Sequence, residues 1–146
     1  MGFFNGEKLI KVLICGSRNF NDYEMVYNFV KSLPADTVII EGGAKGADTF
    51  AHDSAVNLNL KIETYKADWD KHGKKAGYVR NREQLAKGKP DIVVAYSDNL
   101  IESKGTKDMV QIAIKQGTET YLNCVNYEDI KNKSKKTLNE VFKHLI

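Results

Sequence analysis

Apolar residues gather in five short runs along the chain, and between the runs they recur every three or four positions. The runs Leu9–Cys15, Thr37–Ile40, Leu60–Tyr65, Asp91–Tyr96 and Thr118–Cys124 are rich in Val, Ile and Leu or alternate with polar residues. They predict strands. The first, second and fourth are nearly continuous in apolar character, as strands buried on both faces are. The third, LKIETY, alternates and is expected at a sheet edge. Met25, Val26, Phe29, Val30 and Leu33 are spaced for a helix over Tyr23–Leu33 that Pro34 stops, with Asn21 or Asp22 as its cap. A second helix is predicted over Ala47–Leu58, a third over 76–87 ahead of Pro90, and a fourth over Thr106–Lys115 with Met109, Val110, Ala113 and Ile114 inward. A last helix is predicted over 134–145, with Ser134 as N-cap and Leu138, Val141, Phe142 and Leu145 as its apolar stripe.

Strands alternating with helices call for right-handed crossovers and a parallel sheet. The fold class expected is α/β: a Rossmann-like, doubly wound sheet of about five parallel strands with helices on both faces. At 146 residues the chain is one domain on the usual size range. We expect residues 1–126 to form the ligand-binding domain and the lysine-rich residues 127–146 to be a helical segment packed on it. The net charge is +3, and most of it lies in that last segment. The rest of the chain is close to neutral, which argues against nucleic acid as a partner. The chain has no apolar run of membrane-spanning length and no leader-like N-terminus, so a cytoplasmic location is expected. Cys15 and Cys124 sit in apolar runs and read as small buried hydrophobes of a reducing compartment. His72 has no companion at metal-ligand spacing, so neither a metal nor a cofactor is expected.

In such sheets ligands sit outside the carboxyl ends of the strands, so the candidate chemistry lies just past the end of each run. After the first comes Gly16-Ser17-Arg18: a residue permitting close backbone approach, a hydroxyl and a guanidinium fork suited to phosphate. After the second comes Gly42-Gly43-Ala44-Lys45-Gly46-Ala47-Asp48, whose backbone N–H groups and following helix N-terminus can face an anion. It is neither a Walker A loop nor a dinucleotide fingerprint. After the third come Asp68 and Trp69, the single tryptophan, and then Arg80, Asn81 and Arg82. The chain has three arginines, Arg18, Arg80 and Arg82, against nineteen lysines, which suggests a need for guanidinium geometry. After the fourth come Ser97-Asp98-Asn99 and then Gly105-Thr106, which opens a helix.

The segments LICGSRNF (13–20), IEGGAKGAD (40–48), KADWDKHGKKAGYVRN (66–81) and KGTKDM (104–109) together resemble the SLOG superfamily of Smf/DprA and Lonely Guy proteins. The similarity is to its YspA/YpsA-related branch and covers roughly residues 9–123. The resemblance implies a Rossmann-like sheet with a pocket for a phosphorylated nucleotide, and a homodimer or higher homo-oligomer. Lonely Guy enzymes split a base from its ribose phosphate through a motif similar to P-G-G-x-G-T-x-x-E. The corresponding stretch here is Ile101 to Met109, with Glu102 and Ser103 in place of two glycines and Met109 in place of the acidic residue.

Two functions are compatible with these residues. One is a binder that senses, buffers or sequesters a nucleotide-derived signal, with an ADP-ribose or NAD-related ligand favoured. Its ligand contacts would be Gly16, Ser17, Arg18, Gly42, Gly43, Ala44, Lys45, Gly46, Asp48, Asp68, Trp69, Arg80, Asn81, Gly105 and Thr106. The other is an N-glycosidic bond hydrolase, which would have to recruit Asp108 or Glu102. DNA binding, as in the Smf/DprA relatives, is a weaker third. Donors are plentiful and no carboxylate stands at the motif's acidic position, so binding is favoured.

Overall fold

A computed structural model describes residues 10–142; Leu9 of the first predicted strand and the end of the last predicted helix, with Leu145, lie outside the described residues. Five strands, β1 (Lys11–Gly16), β2 (Val38–Glu41), β3 (Lys61–Thr64), β4 (Ile92–Tyr96) and β5 (Glu119–Leu122), form one sheet in the order β3-β2-β1-β4-β5. All neighbours are parallel, with Val12 level with Ile39 on one side and Ile92 on the other. β3 is an edge, as its alternation implied. The chain moves outward from β1 to β2 and β3, then returns to lay β4 on the other side. The ends of β1 and β4 therefore flank the topological switch point, where such sheets open a crevice.

Residues of β1 alternate between two cores. Val12 and Ile14 pack with Val26, Phe29 and Val30 of α1 (Tyr23–Lys31) and Ala47, Ala51 and Ala55 of α2 (Ala47–Asn57). Leu13 instead meets Leu85, Met109 and Ala113 on the opposite face, the last two from α5 (Lys104–Lys115). Both faces being covered is why these strands read as unbroken apolar runs.

Differences from the sequence reading lie at element ends. β1 and β2 each run one residue further, to Gly16 and Glu41. A short helix, α3 (Trp69–His72), forms in the loop after β3, capped by Asp68, whose Oδ1 accepts from Lys71 N at 3.0 Å. The predicted helix over 76–87 is α4 (Ala76–Glu83), closed by a wider π turn at Gln84–Gly88. α5 starts two residues early because Ser103 already leaves the helix at φ −88° and ψ 83°. A short α6 (Glu128–Lys131) adds to the predicted elements, and it buries Ile130 in the α1–α2 core. The last helix, α7 (Leu138–Val141), is capped by Thr137 rather than Ser134: Thr137 Oγ1 accepts from Glu140 N, whereas Ser134 Oγ turns back to Asp129.

Candidate functional site

The switch point opens into a cavity of about 510 Å³ whose walls come from the ends of β1, β2 and β4 and the starts of α4 and α5. Its floor is built by backbone closeness. Ser17 N donates to Tyr96 O at 2.9 Å, tying the end of β1 to β4. A Cβ on Gly16 would collide with that same Tyr96 carbonyl and with Ala47 Cβ, so only glycine lets the strand end there.

Three hydroxyls meet at this junction. Ser17 Oγ lies 2.7 Å from Ser97 Oγ and 2.5 Å from Ser103 Oγ, and the latter two are 3.1 Å apart. Asn123, beyond β5, holds Ser97 from both sides: its Oδ1 accepts from Ser97 N and its Nδ2 donates to Ser97 O, each at 3.0 Å. Ser103 stands at the head of α5, and Lys104, Gly105 and Thr106 of the first turn line the cavity. The 12-residue α5 thus aims its N-terminus, with its partial positive charge, at the hydroxyl cluster.

The mouth is aromatic and cationic. Trp69 is 49% exposed and Tyr78 39%, and both line the cavity with Arg18 and Lys74. The Arg18 guanidinium lies over the Trp69 ring, 5.7 Å from its centroid, a cation–π contact that holds two long side chains at the rim.

Asp48 occupies the β2 side of the floor at 5% exposure. Its Oδ2 accepts from Gly42 N at 3.0 Å and Ala44 N at 3.3 Å. Burial pushes its carboxyl up to about 6, opposed by the Arg80 guanidinium and the two amide donors and reinforced by Glu41. Burial, and then Asp48 itself, push the Cys15 thiol well above its usual range, so this cavity-lining sulfur stays a neutral thiol.

Of the residues singled out from the sequence, Gly16, Ser17, Arg18, Ala44, Asp48, Trp69, Arg80, Asn81, Gly105 and Thr106 line the cavity, as does Glu102 at its rim. Gly42, Gly43, Lys45, Gly46, Asp68 and Asp108 do not. The glycine loop turns its donors inward: Gly43 N gives to Glu41 Oε1 at 2.6 Å, and Gly42 N and Ala44 N give to Asp48. Gly46, at φ 81°, sits against the backbone carbonyls of Ser17 and Arg18. Arg80 Nη1 donates to Gly42 O at 2.7 Å, clamping that loop. Asn81 is a brace, its Nδ2 donating to Gly105 O at 3.1 Å and to Asp108 Oδ2 at 3.0 Å. Met109 is fully buried in the core. Ser103 lines the cavity and Ser97 is buried behind it; neither is among the predicted ligand contacts, although Ser97 follows the fourth strand and Ser103 replaces a motif glycine. Gln84, 2% exposed on the cavity wall, gives no sequence signal. Among the described residues no cluster of three or more His, Cys, Asp or Glu is placed to hold a metal ion, and no helix is long and apolar enough to cross a membrane.

Comparison with known proteins places this architecture. Residues 10–72 match the model of the YspA, cpYpsA-related SLOG family. The Gene 61 protein of Mycobacterium phage D29 is 36% identical over an alignment of 116 residues that covers 73% of this chain and 90% of that protein. The chain belongs to the YspA, cpYpsA-related SLOG family. The match to the family model takes in the β1 end, the glycine loop and Trp69, while Arg80 and the α5 N-terminus lie beyond it. Among solved structures, DNA processing protein A (DprA) from Streptococcus pneumoniae superposes with a TM-score of 0.66 over 78% of this chain at 21% identity. The chain spans half the length of that protein, and the likeness is one of fold. SLOG membership points to a nucleotide-related small-molecule ligand at the Rossmann-like domain.

Proposed function

We propose that this SLOG protein binds a phosphorylated nucleotide or nucleotide-derived signal, an ADP-ribose or NAD-related ligand being favoured, in the switch-point cavity. It acts there as a sensor, buffer or sequestering protein, in the cytoplasm and as a homo-oligomer. The observation that carries this reading is the convergence of Ser17, Ser97 and Ser103 on the N-terminus of α5. Backbone N–H donors at a helix start suit a phosphate, and the three hydroxyls, bonded to one another and to Asn99 O, fix the strand end beneath them. The phosphate role that the sequence suggests for the glycine loop passes to α5, since the N–H groups of Gly42, Gly43 and Ala44 already serve the chain's own carboxylates. Trp69 and Tyr78 at the mouth suit a stacked base.

The test is a titration of the purified chain with AMP and with ADP-ribose, followed by the fluorescence of its single tryptophan, with native mass spectrometry for a carried-over ligand. Saturable binding of either is expected. Absence of both binding and a carried-over ligand overturns the reading.

The hydrolase remains a second reading because of one observation: Asp48, a buried carboxyl poised near 6, is on the cavity wall where a general acid would be useful. Release of free base from saturating AMP by the wild type, lost in Asp48→Asn at the same saturation, would favour it.

A further inference from the structure

The cavity wall carries charged groups at both of its ends. On the β4 side it presents the α5 N-terminus and Lys104, with the carboxylates of Asp98 and Glu102 beside them. On the β2 side it presents an acceptor, the Asp48 carboxylate, 5% exposed. The amides of Gly42 and Ala44 both donate to Oδ2. Arg80, the nearby cation, gives its Nη1 to the Gly42 carbonyl. Oδ1 is therefore the Asp48 atom left to meet a ligand, and a buried carboxylate oxygen gains most from a partner that donates.

The sheet sets the scale. Neighbouring strands lie ~4.8 Å apart, so β2 and β4, on either side of β1, are roughly 10 Å apart. A sugar phosphate can lie across that span. With the phosphate over α5 and the base stacked at the exposed Trp69 and Tyr78, the sugar rests on the floor, beside Asp48. We infer that Asp48 reads the sugar: its open oxygen accepts hydrogen bonds from the free hydroxyls of a ribose, which makes the site selective for ribonucleotides over deoxyribonucleotides. This rests on the nucleotide reading above and adds to it the class of sugar. A nucleotide esterified at those hydroxyls would bring an anion against the carboxylate and be rejected.

The acceptor is a titrating one. Burial holds it near 6, so it is mostly ionised at neutral pH and mostly protonated a unit or more below. The groups facing it are Arg80 from α4, Glu41 from the end of β2, Cys15 from β1, and the amides of Gly42 and Ala44. A 5′-phosphate also titrates at about 6, so the informative quantity is the ratio of affinities for ribose and deoxyribose forms, in which the phosphate cancels.

The experiment measures binding of AMP, 2′-deoxy-AMP and 2′,3′-dideoxy-AMP to the full chain by tryptophan fluorescence. At about pH 7.5 the wild type should prefer AMP over the dideoxy form by about tenfold or more, the size of a lost charge-assisted hydrogen bond. The preference should shrink toward unity at about pH 5, below the Asp48 transition, and be within about twofold in Asp48→Asn, whose amide turned to the cavity donates rather than accepts. Equal wild-type affinity for all three overturns the ribose role while leaving nucleotide binding standing. Undiminished preference in a folded Asp48→Asn, or at the lower pH, assigns the discrimination to another group and overturns the role of Asp48. If the variant does not fold, the wild-type ratio and its pH dependence decide alone. Failure of AMP and ADP-ribose to bind at all overturns the nucleotide reading, and the sugar assignment with it.

Discussion

The Asp108 carboxylate lies in the fork of the Arg82 guanidinium, with Oδ2 3.0 Å from Nη1 and Oδ1 3.2 Å from Nη2. Asn81 Nδ2 adds a third donor at 3.0 Å. All of these bonds join α4 to α5, and none places the carboxylate on the cavity wall. The hydrolase reading of the sequence leans on this residue as a replacement for the acid missing at Met109. In the fold it is a strut.

Asp108→Asn should therefore leave nucleotide affinity within about twofold. Because the Arg82 side chain is 55% exposed, the lost ion pair should cost only about 0.5–1 kcal/mol of stability. Urea unfolding of the variant, beside a binding titration, checks both. A large drop in affinity at unchanged stability would return Asp108 to the site.

Two glycines give a sharper test of where the phosphate goes. A Cβ on Gly46 would collide with Ser17 O, and the residue holds φ 81°. Gly46→Val should therefore destabilise the whole fold, by about 2–4 kcal/mol if strain and overpacking add, and affinity should fall with foldedness. A Cβ on Gly105 meets nothing within 4 Å, and the residue lines the cavity in the first turn of α5. Gly105→Val should melt within a few degrees of wild type, since valine is a slightly better helix former than glycine, yet weaken AMP by about tenfold or more through blocked approach to the α5 amides. Thermal melts and titrations of both variants decide whether the glycine loop or the α5 start holds the anion.

The sheet was legible because buried parallel strands have one simple signature, and Val12 to Ile14, Val38 to Ile40 and Ile92 to Val94 all show it. The strand-end rule then led to ten of the cavity residues. What it could not supply was direction. Gly42, Gly43 and Ala44 look like a phosphate cradle in the sequence, but Asp48 and Glu41 already accept their N–H groups. Asn81 looks like a ligand contact, yet its amide nitrogen serves α5. In the sequence Ser97 is one strand-end residue and Ser103 a replaced motif glycine, and only the register of β1 with β4 brings three hydroxyls together. Ser134 failed as a cap for a tertiary reason: its hydroxyl is held by Asp129, which α6 places beside it.

The C-terminal segment is expected to belong to the same folding unit. Asn139 pairs with the outer edge of β5, its Oδ1 accepting from Thr120 N at 2.9 Å and its Nδ2 donating to Thr118 O at 3.0 Å. Leu138 packs against Ala95 and Val110. A chain ending at Asn126 would expose that edge and the apolar faces under Leu138 and Ile130. It should lose about 3 kcal/mol or more, in the range for removing large buried side chains, and aggregate more readily. A milder probe is Asn139→Ala, expected to cost about 1–2 kcal/mol from two lost hydrogen bonds while leaving AMP affinity unchanged. A truncated chain as stable as the full one would make residues 127–146 an appendage.

Asp48 also predicts how stability responds to pH. Its folded carboxyl is raised to about 6 from an ordinary 3.8, so the folded protein holds this proton more tightly than the unfolded chain does. Stability from this group is therefore greatest below the unfolded value, and it is lost progressively as pH rises from about 4 through about 6. Two units correspond to about 3 kcal/mol, the cost above that window of keeping a charge in the floor of the cavity. Asp48→Asn removes the charge but can still accept from Gly42 N and Ala44 N through its amide oxygen. At about pH 8 the variant should then be more stable than the wild type by as much as about 3 kcal/mol, with the gap closing as pH falls below about 4. Denaturant unfolding of both proteins across that range measures it. A stabilised variant that no longer distinguishes AMP from its dideoxy form would mean the chain keeps an ionised carboxylate there at a cost to its own stability, for the sake of a ligand. A variant less stable than wild type at every pH would show that Arg80 and the two amides more than offset the burial of the charge, and that Asp48 is chiefly the anchor of the glycine loop.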